Sequence, residues 1–485
     1  MVRTRFAPSP TGSLHVGNAR IAVLNWLFAR QNDGVLILRI EDTDEDRNEP
    51  GAEERIEEDL RWLGIDWDEG TGAGDDDWPG PNAPYRQSER LHIYREYAQW
   101  LCAAGYAYPC YCSAEELAAH REAALERGDQ PHYPRTCLGL SKEEIARREA
   151  EGRRPVIRYR VPPGPPISVQ DVVRGTVTVD RSEIGDFVLL RSDGRPTYNF
   201  AVVIDDVLME ITHVIRGVGH LSNAPRQVLL FDALHHAPPV FAHVPTVLGE
   251  DRQKLSKRHG ARSLAELRAE GYHPDAVVNY LSLLSWSSPS GDEFLTRDRL
   301  IEEISLDRIR AVDTVFDPVK LAWLSAKHIE RMPLDALTEA VRPYVDFERV
   351  GIAPENLASI VAAVRTHLSI FSDITVQLEA FRAAAGRAPQ QARAEARLDG
   401  AEQQVLERAR ETLAETQDWE EGPIEEAIKR AGKRAGARGR ALYEPLRRVL
   451  TGEDHGPPLA ALLRVAGKDQ VLRLLEGALR RPADD

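Results

Sequence analysis

The chain has 485 residues, a formal net charge of −15, and 42% hydrophobic and 29% charged residues. That length exceeds what one hydrophobic core organises and predicts several domains. The acidic balance argues against a protein that coats nucleic acid nonspecifically, while leaving room for a local basic face. No apolar run approaches the roughly 18 residues needed to span a membrane. Arg3, Arg5, Pro8 and Pro10 interrupt any apolar leader, so a cytoplasmic protein without membrane contact is expected. Four cysteines do not make a disulfide scaffold.

Residues 3–7 predict a short strand that Pro8 and Pro10 must end. A helix follows over about 18–31, with Ile21, Leu24 and Phe28 on one face. The apolar run 35–40 (VLILRI) reads as a strand buried on both faces. Pro50 opens the next helix and Gly64 closes it, with Ile56, Leu60 and Leu63 on its apolar side. This alternation predicts an α/β doubly wound core. Residues 66–84, rich in Gly, Pro and Asp, read as a loop. The mixed stretch 100–195 looks inserted between two halves of the core. The alternation resumes with a helix through Val203 and a strand near Ile211–Ile215. Beyond Pro318 helical patterns dominate, and the polar stretch 383–400 reads as a joint between helical parts. Lys429 to Arg448 gathers eight Lys and Arg residues against the single acid Glu444, which suits either a nucleic-acid contact or an ordinary solvated helix surface.

Two segments carry the chemistry. In the first, Arg5-Phe6-Ala7-Pro8-Ser9-Pro10-Thr11-Gly12-Ser13-Leu14-His15-Val16-Gly17-Asn18, a strand ends, a tight turn follows and a helix begins. That geometry places His15, Gly17 and helix N–H groups at the carboxyl end of a strand, where doubly wound sheets bind nucleotides. His15 can hydrogen-bond a phosphate oxygen as its charge rises, and Gly17 allows close approach to the backbone. In the second, Lys254-Leu255-Ser256-Lys257-Arg258-His259-Gly260, two lysines sit on a loop flanked by Gly249 and Gly260. Cations there suit attack on an α-phosphorus with departure of pyrophosphate, a reaction governed by positioning and electrostatics. Alone, a KLSKR string is an ordinary basic turn, and a single histidine is ordinarily structural.

In this order the two segments resemble the ATP-binding signatures of class I aminoacyl-tRNA synthetases, and the PSPTG lead-in narrows the likeness to the glutamyl and glutaminyl members. Leu38-Arg39-Ile40-Glu41-Asp42-Thr43-Asp44, Tyr85-Arg86-Gln87-Ser88-Glu89-Arg90, the run from Pro196 to Asp206, and His213-Val214-Ile215-Arg216-Gly217 continue the series. Over essentially its whole length the chain resembles a bacterial-type glutamyl-tRNA synthetase. The likeness implies a Rossmann-type class I synthetase catalytic domain with an acceptor-stem insertion, followed by an all-α C-terminal anticodon-binding region. The expected boundaries are 1–98 and 198–253 for the catalytic halves, 99–197 for the insertion and 254–325 for a connecting domain. Helical subdomains are expected over 326–388 and 389–485.

The implied activity is glutamate–tRNA ligation: ATP-dependent formation of glutamyl-adenylate, then transfer to the 3′ end of tRNA-Glu. ATP would meet His15, Gly17, Lys254 and Lys257, with Mg2+ accompanying it. His15, Lys254 and Lys257 would be catalytic. Arg5, Ala7, Ser9, Glu41, Tyr198 and Arg216 would bind L-glutamate: Glu41 on the α-ammonium, and Arg5, Tyr198 and Arg216 on the side-chain carboxylate. Arginine reads a carboxylate as a planar fork, and a desolvated arginine rejects uncharged glutamine without an editing domain. One departure stands out, because Val218-Gly219 occupies positions where relatives carry acids.

Cys110, Cys112 and Cys137 resemble a zinc site of some family members, in which a histidine follows two residues after the last cysteine. Here that residue is Gly139, with His120 and His132 as substitutes. Three reduced thiols are the favoured reading, zinc the alternative, and no metal ligand is assigned. A glutaminyl-tRNA synthetase would end in β-barrels, and a truncated paralogue acting on a tRNA base would lack the helical half. A non-catalytic tRNA-binding paralogue should have lost His15 or Lys257. A monomer is expected from the resemblance. A non-discriminating enzyme that also charges tRNA-Gln is the alternative, with the discriminating residues expected in the helical region near Arg365 and His367.

Overall fold

The computed structural model describes residues 1–73, 80–255, 262–396 and 398–480. Lys257 and Gly260 therefore lie outside the described residues. The chain divides into two compact units: Met1–Arg268 with Val277–Pro318, and Ala269–Ala276 with Val319–Asp485.

The first unit is α/β. Its elements begin with β1 (Arg3–Phe6), α1 (Val16–Gln31), β2 (Val35–Leu38), α2 (Ala52–Trp62) and β3 (Glu69–Gly70). There follow α3 (Leu91–Ala103), β4 (Ala107–Cys110), α4 (Ala114–Glu126), α5 (Lys142–Ala150), β5 (Val156–Tyr159), β6 (Ile167–Asp171), β7 (Gly175–Val179), α6 (Arg181–Ile184) and β8 (Phe187–Leu190). The unit resumes with α7 (Tyr198–Leu208), β9 (His213–Gly217), α8 (Ala224–Ala233) and β10 (Val240–Val244).

Strands β1, β2 and β3 are parallel neighbours in that order. On the other side β9, β10 and β6 run parallel, and β7 closes the row antiparallel to β6. The two groups meet where Thr212, just before β9, donates its N–H to the Arg3 carbonyl at 3.0 Å. The Arg3 N–H answers with a 2.8 Å bond to the Thr212 hydroxyl. Chain direction through the sheet thus diverges between β1 and β9, and such a switch point opens a crevice beyond the strands' carboxyl ends. Strands β4, β5 and β8 form a separate antiparallel sheet within 99–197, whereas β6 and β7 of that stretch join the main sheet.

Several predicted elements shift. The second half's strand runs from His213 to Gly217 rather than 211–215, because its register is set by β10, which pairs Val240 with His213 and Val244 with Gly217. Arg216 is consequently inside the strand and not beyond it. Helix α7 runs on past Val203 to Leu208, since the apolar face continues and Asp205 and Asp206 find buried partners. The loop expected over 66–84 contributes the two residues of β3.

Those acids explain how charge enters an apolar core. Arg39 is fully buried and donates to Asp206 at 2.7 Å and to Glu41 at 3.1 Å. Asp205, also fully buried, accepts from Arg90 at 2.7 Å, Gln87 at 2.8 Å and the Tyr94 hydroxyl at 2.9 Å. Asp206 also accepts from Arg5 at 3.3 Å, so both acids of the helix have more than one donor, which buried charge requires.

The second unit is helical. Its core runs as one apolar cluster from Ile329 to Leu475. The polar stretch 383–400 is largely helical, within Ile374–Gly386 and Pro389–Ala396. No single helix among the described residues is long and apolar enough to cross a membrane.

Asp205→Ala strips Arg90 of its buried partner and should cost about 3–5 kcal/mol in urea unfolding. The exposed Asp193→Ala should stay within about 0.5 kcal/mol of the parent. Equal midpoints for the two variants would refute the buried network's role.

Candidate active site

A cleft of about 480 Å3 opens at the switch point between β1 and β9. It is lined by Arg5 of β1, Ala7 and Ser9 just after it, Glu41 after β2, Tyr198 at the start of α7, and Arg216 of β9. These are the six residues expected to bind glutamate, and the fold brings all of them together. Asn18 and Ile21 of α1 add a wall, and Asp44, Arg47 and Arg191 also line the space.

His15, Gly17 and Lys254 are not among the lining residues. His15 caps α1, with its carbonyl accepting from Ala19 N–H at 2.9 Å. A β-carbon built at Gly17 would meet nothing within 4 Å, so that helix end faces open space. Lys254 is exposed and lies on a turn where Gln253 accepts from Gly249 N–H at 2.9 Å. Its charge is among those felt by His220 in the cleft.

Electrostatics distinguish the two cleft arginines. Arg5 is buried and donates to Asp206 at 3.3 Å. Arg216, only 5% exposed, has neutral partners. Its Nε donates to His243 Nε2 at 3.0 Å, and its terminal nitrogens reach Gln227 Oε1 at 2.8 Å, the Tyr198 hydroxyl at 3.4 Å and the His220 carbonyl at 3.4 Å. None of these is a carboxylate. Burial pulls the Arg216 pKa below its ordinary value, and Arg5 adds to the effect. His220 is pushed down to about 4 by burial and then by Arg216 and Arg5. The two guanidinium groups therefore create a concentrated positive potential in a space of low polarisability. Such a place calls for an anion.

Across the cleft Glu41 has the opposite problem. Burial pushes its carboxyl above the usual range, more than Arg39 and Arg5 pull it down. A cation at that point would stabilise its charged form. The site thus offers a cation trap and an anion trap in one cleft. With Val218 and Gly219 in place, no acid lies on the segment Val218–Asn223, and the cleft acids are Glu41 and Asp44.

Four residues that do not line the cleft but support its arginines were not foreseen from the sequence: Asp206 on Arg5, Gln227 and His243 on Arg216, and Asp171 behind His243. Asp206 had a visible signal, since paired acids in an apolar helix need buried partners. His243 had none beyond being a histidine in an otherwise apolar strand.

In the helical unit, His367 joins Arg440, Arg447, Tyr443 and Gln377 along a groove of about 630 Å3. Arg365 does not line that groove and instead donates to the Met332 carbonyl. Much of the basic stretch is balanced locally: Lys429 pairs with Glu425, Arg434 with Glu415, Arg440 with Glu444, and Arg448 with Glu402 and Asp454.

The cysteines also converge. The sulfurs of Cys110, Cys112 and Cys137 all lie within 4.8 Å of one another. His120 and His132 bond instead to Thr136 and Gln130. The fourth donor on the cluster is the Tyr133 hydroxyl, 3.3 Å from Cys110 Sγ and 3.5 Å from Cys112 Sγ. Burial raises the Cys110 thiol, yet the hydrogen bonds of Tyr133 and Arg158 outweigh it and leave the pKa lowered. Three sulfurs come close enough to share one ion, and the Tyr133 phenol is the fourth polar atom beside them, where a closed zinc site ordinarily takes a thiolate, imidazole or carboxylate.

Comparison with known proteins fits this architecture. Residues 1–323 match the family model for tRNA synthetases class I (E and Q), catalytic domain, and residues 336–479 match that for an anticodon binding domain. The glutamate–tRNA ligase of Desulforamulus reducens is 44% identical, covering 99% of this chain and 100% of the relative. That of Carboxydothermus hydrogenoformans is 43% identical over 98% of both. A crystal structure of a glutamate tRNA ligase from Elizabethkingia meningosepticum, in complex with its amino acid, superposes with a TM-score of 0.86 at 32% identity, covering 99% of each chain.

The cysteine geometry predicts one equivalent of zinc in protein purified without chelators, lost in Cys112→Ser and Cys137→Ser. Metal-free protein from such a preparation would instead mean that Gly139 leaves three reduced thiols around Tyr133.

Proposed function

The chain belongs to the class I tRNA synthetases of the glutamate and glutamine group, and from that premise we propose how its cleft works as a glutamate–tRNA ligase. The observation that carries the reading is Arg216, a buried guanidinium held by neutral partners. A glutamate side chain supplies the missing anion. Its carboxylate would sit between Arg5 and Arg216, with the Tyr198 hydroxyl as a further donor. The α-ammonium would meet Glu41, and Ser9 and Ala7 would border the head group. Glutamine would leave two desolvated cations facing a neutral amide, a mismatch that a buried polar site rejects strongly.

Held this way, the α-carboxylate attacks the α-phosphorus of ATP. Negative charge grows on phosphate oxygens and pyrophosphate leaves. His15, Lys254 and Lys257 would meet that charge, and open space above Gly17 suits close approach of the nucleoside. Magnesium binds phosphates with the help of one or two carboxylates, and Asp44 is the cleft carboxylate left for it once Glu41 serves the ammonium. Transfer to the terminal adenosine of tRNA completes the reaction. Arg47 and Arg191 at the cleft suit the phosphates of an incoming 3′ end, and the groove around His367, Arg440 and Arg447 suits the anticodon arm. We take the enzyme as cytoplasmic and monomeric.

Arg216→Gln should lower catalytic efficiency for glutamate by two to four orders of magnitude, the effect of losing roughly 3–5 kcal/mol from one side of a buried pair. The Michaelis constant for ATP should change little; a defect confined to ATP would reject the assignment. Lys257→Ala should slow adenylate formation about a hundredfold, and near-normal ATP–pyrophosphate exchange would sink its role.

Glu41 makes a further prediction, in pH. Its raised pKa means that lowering the pH protonates it early and removes the partner of the ammonium. The Michaelis constant for glutamate should therefore climb as pH falls through that elevated pKa. Glu41→Gln should bind weakly at all pH values and lose the trend; a trend that survives the substitution belongs to another group.

A further inference from the structure

His243 lies on β10, behind the cleft and fully buried. Its Nδ1 is 2.6 Å from Asp171 Oδ2 on β6, and its Nε2 faces Arg216 Nε at 3.0 Å. A guanidinium nitrogen can only donate, so His243 Nε2 must accept. The proton of the neutral ring therefore sits on Nδ1 and is donated to Asp171. We infer that Asp171 and His243 form a relay that fixes the orientation of Arg216 and, through it, the preference for glutamate. This rests on the reading of Arg216 given above.

The relay solves a specific problem. Arg216 needs a buried acceptor on its Nε, because an orphaned donor there is costly. A carboxylate in that position would satisfy the donor but would also neutralise the charge that the substrate is to meet. A neutral imidazole satisfies the hydrogen bond and leaves the cation uncompensated. The carboxylate is instead placed one ring farther away, where it holds the tautomer.

Asp171 is well suited to that task. It accepts the backbone N–H groups of Val173 at 2.9 Å, Arg174 at 2.8 Å and His243 at 3.0 Å, as well as the ring. These donors keep its pKa lowered despite burial. Burial and Arg216 together hold the His243 pKa below its ordinary value, against the pull of Asp171, which agrees with a neutral ring. The second neutral clamp, Gln227, accepts from Arg216 and donates to Asn199 Oδ1 at 3.0 Å. Both clamps are oriented by groups outside the cleft.

His243 and Asp171 are thus positioning residues, and the test must separate positioning from stability. His243→Leu removes the acceptor. Asp171→Asn presents an amide that can drive the ring to the opposite tautomer, turning N–H toward N–H at Arg216. His243→Gln restores an acceptor of similar reach. Full-length variants would be assayed for aminoacylation with each substrate varied in turn, alongside thermal melting.

The relay predicts that His243→Leu and Asp171→Asn raise the Michaelis constant for glutamate about ten- to a hundredfold, the range for one buried donor left unmet. The constant for ATP should stay within about twofold, and His243→Gln should recover most of the glutamate affinity, since a net hydrogen bond is restored. An unchanged glutamate constant in His243→Leu would overturn the relay. So would equal losses for ATP and glutamate that track lowered melting temperatures. Arg216→Gln in the same assay separates the two levels. If it impairs glutamate use and His243→Leu does not, the relay falls and the reading of Arg216 stands. If neither affects glutamate, the reading itself falls.

Discussion

A buried positive charge held only by neutral groups is the constraint around which this structure is arranged. Arg216 is nearly inaccessible, yet its direct partners are an imidazole, an amide, a phenol and a carbonyl. Desolvating a guanidinium without an anion is unfavourable. The protein sustains it because the surrounding fold over-determines its position: β9 is paired along five residues to β10, and β10 carries the histidine that holds Nε. The unfavourable term is relieved when a carboxylate arrives. In the proposed reading, selectivity for a charged side chain would follow from the same energetics.

The neighbouring arginines show the contrast. Arg39 is fully buried with Asp206, Glu41 and Asp205 around it, and those partners raise its pKa against the effect of burial. Arg39 is structural: it ties the end of β2 to α7. Arg5 is intermediate, sharing Asp206 while lining the cleft. Around the switch point the chain therefore grades its cations from one ringed by carboxylates to one with only neutral partners, and the latter is the one proposed to meet the substrate.

Much of the site was legible because its residues sit on contiguous segments. Arg5 lies near the end of one strand with Ala7 and Ser9 just beyond it, Glu41 follows the next, and His15 opens the first helix; turn chemistry and strand ends place them. Arg216 was legible as a site residue, although its strand begins two residues later than periodicity suggested, because pairing with β10 sets the register. The supporting residues were not legible. Asp171 and His243 are 72 positions apart in sequence, and Arg39 and Asp206 are separated by 167. Such pairs exist only through the sheet order, which local pattern does not encode. A spacing rule that looked beyond Cys137 missed Tyr133, which lies four residues before it and reaches the sulfurs from an irregular segment. The helical unit was readable as helices, while the groove around His367 depended on packing that no periodicity reveals.

The most direct test of the account is a crystal structure of the full chain with L-glutamate bound. The account predicts the side-chain carboxylate between the guanidinium groups of Arg5 and Arg216, within hydrogen-bond reach of the Tyr198 hydroxyl, with the α-ammonium on Glu41 and the Arg216–His243 contact preserved. Glutamate bound in the reverse sense, with its α-carboxylate on Arg216, would contradict it. So would a side-chain carboxylate turned away from an Arg216 that keeps only its neutral partners.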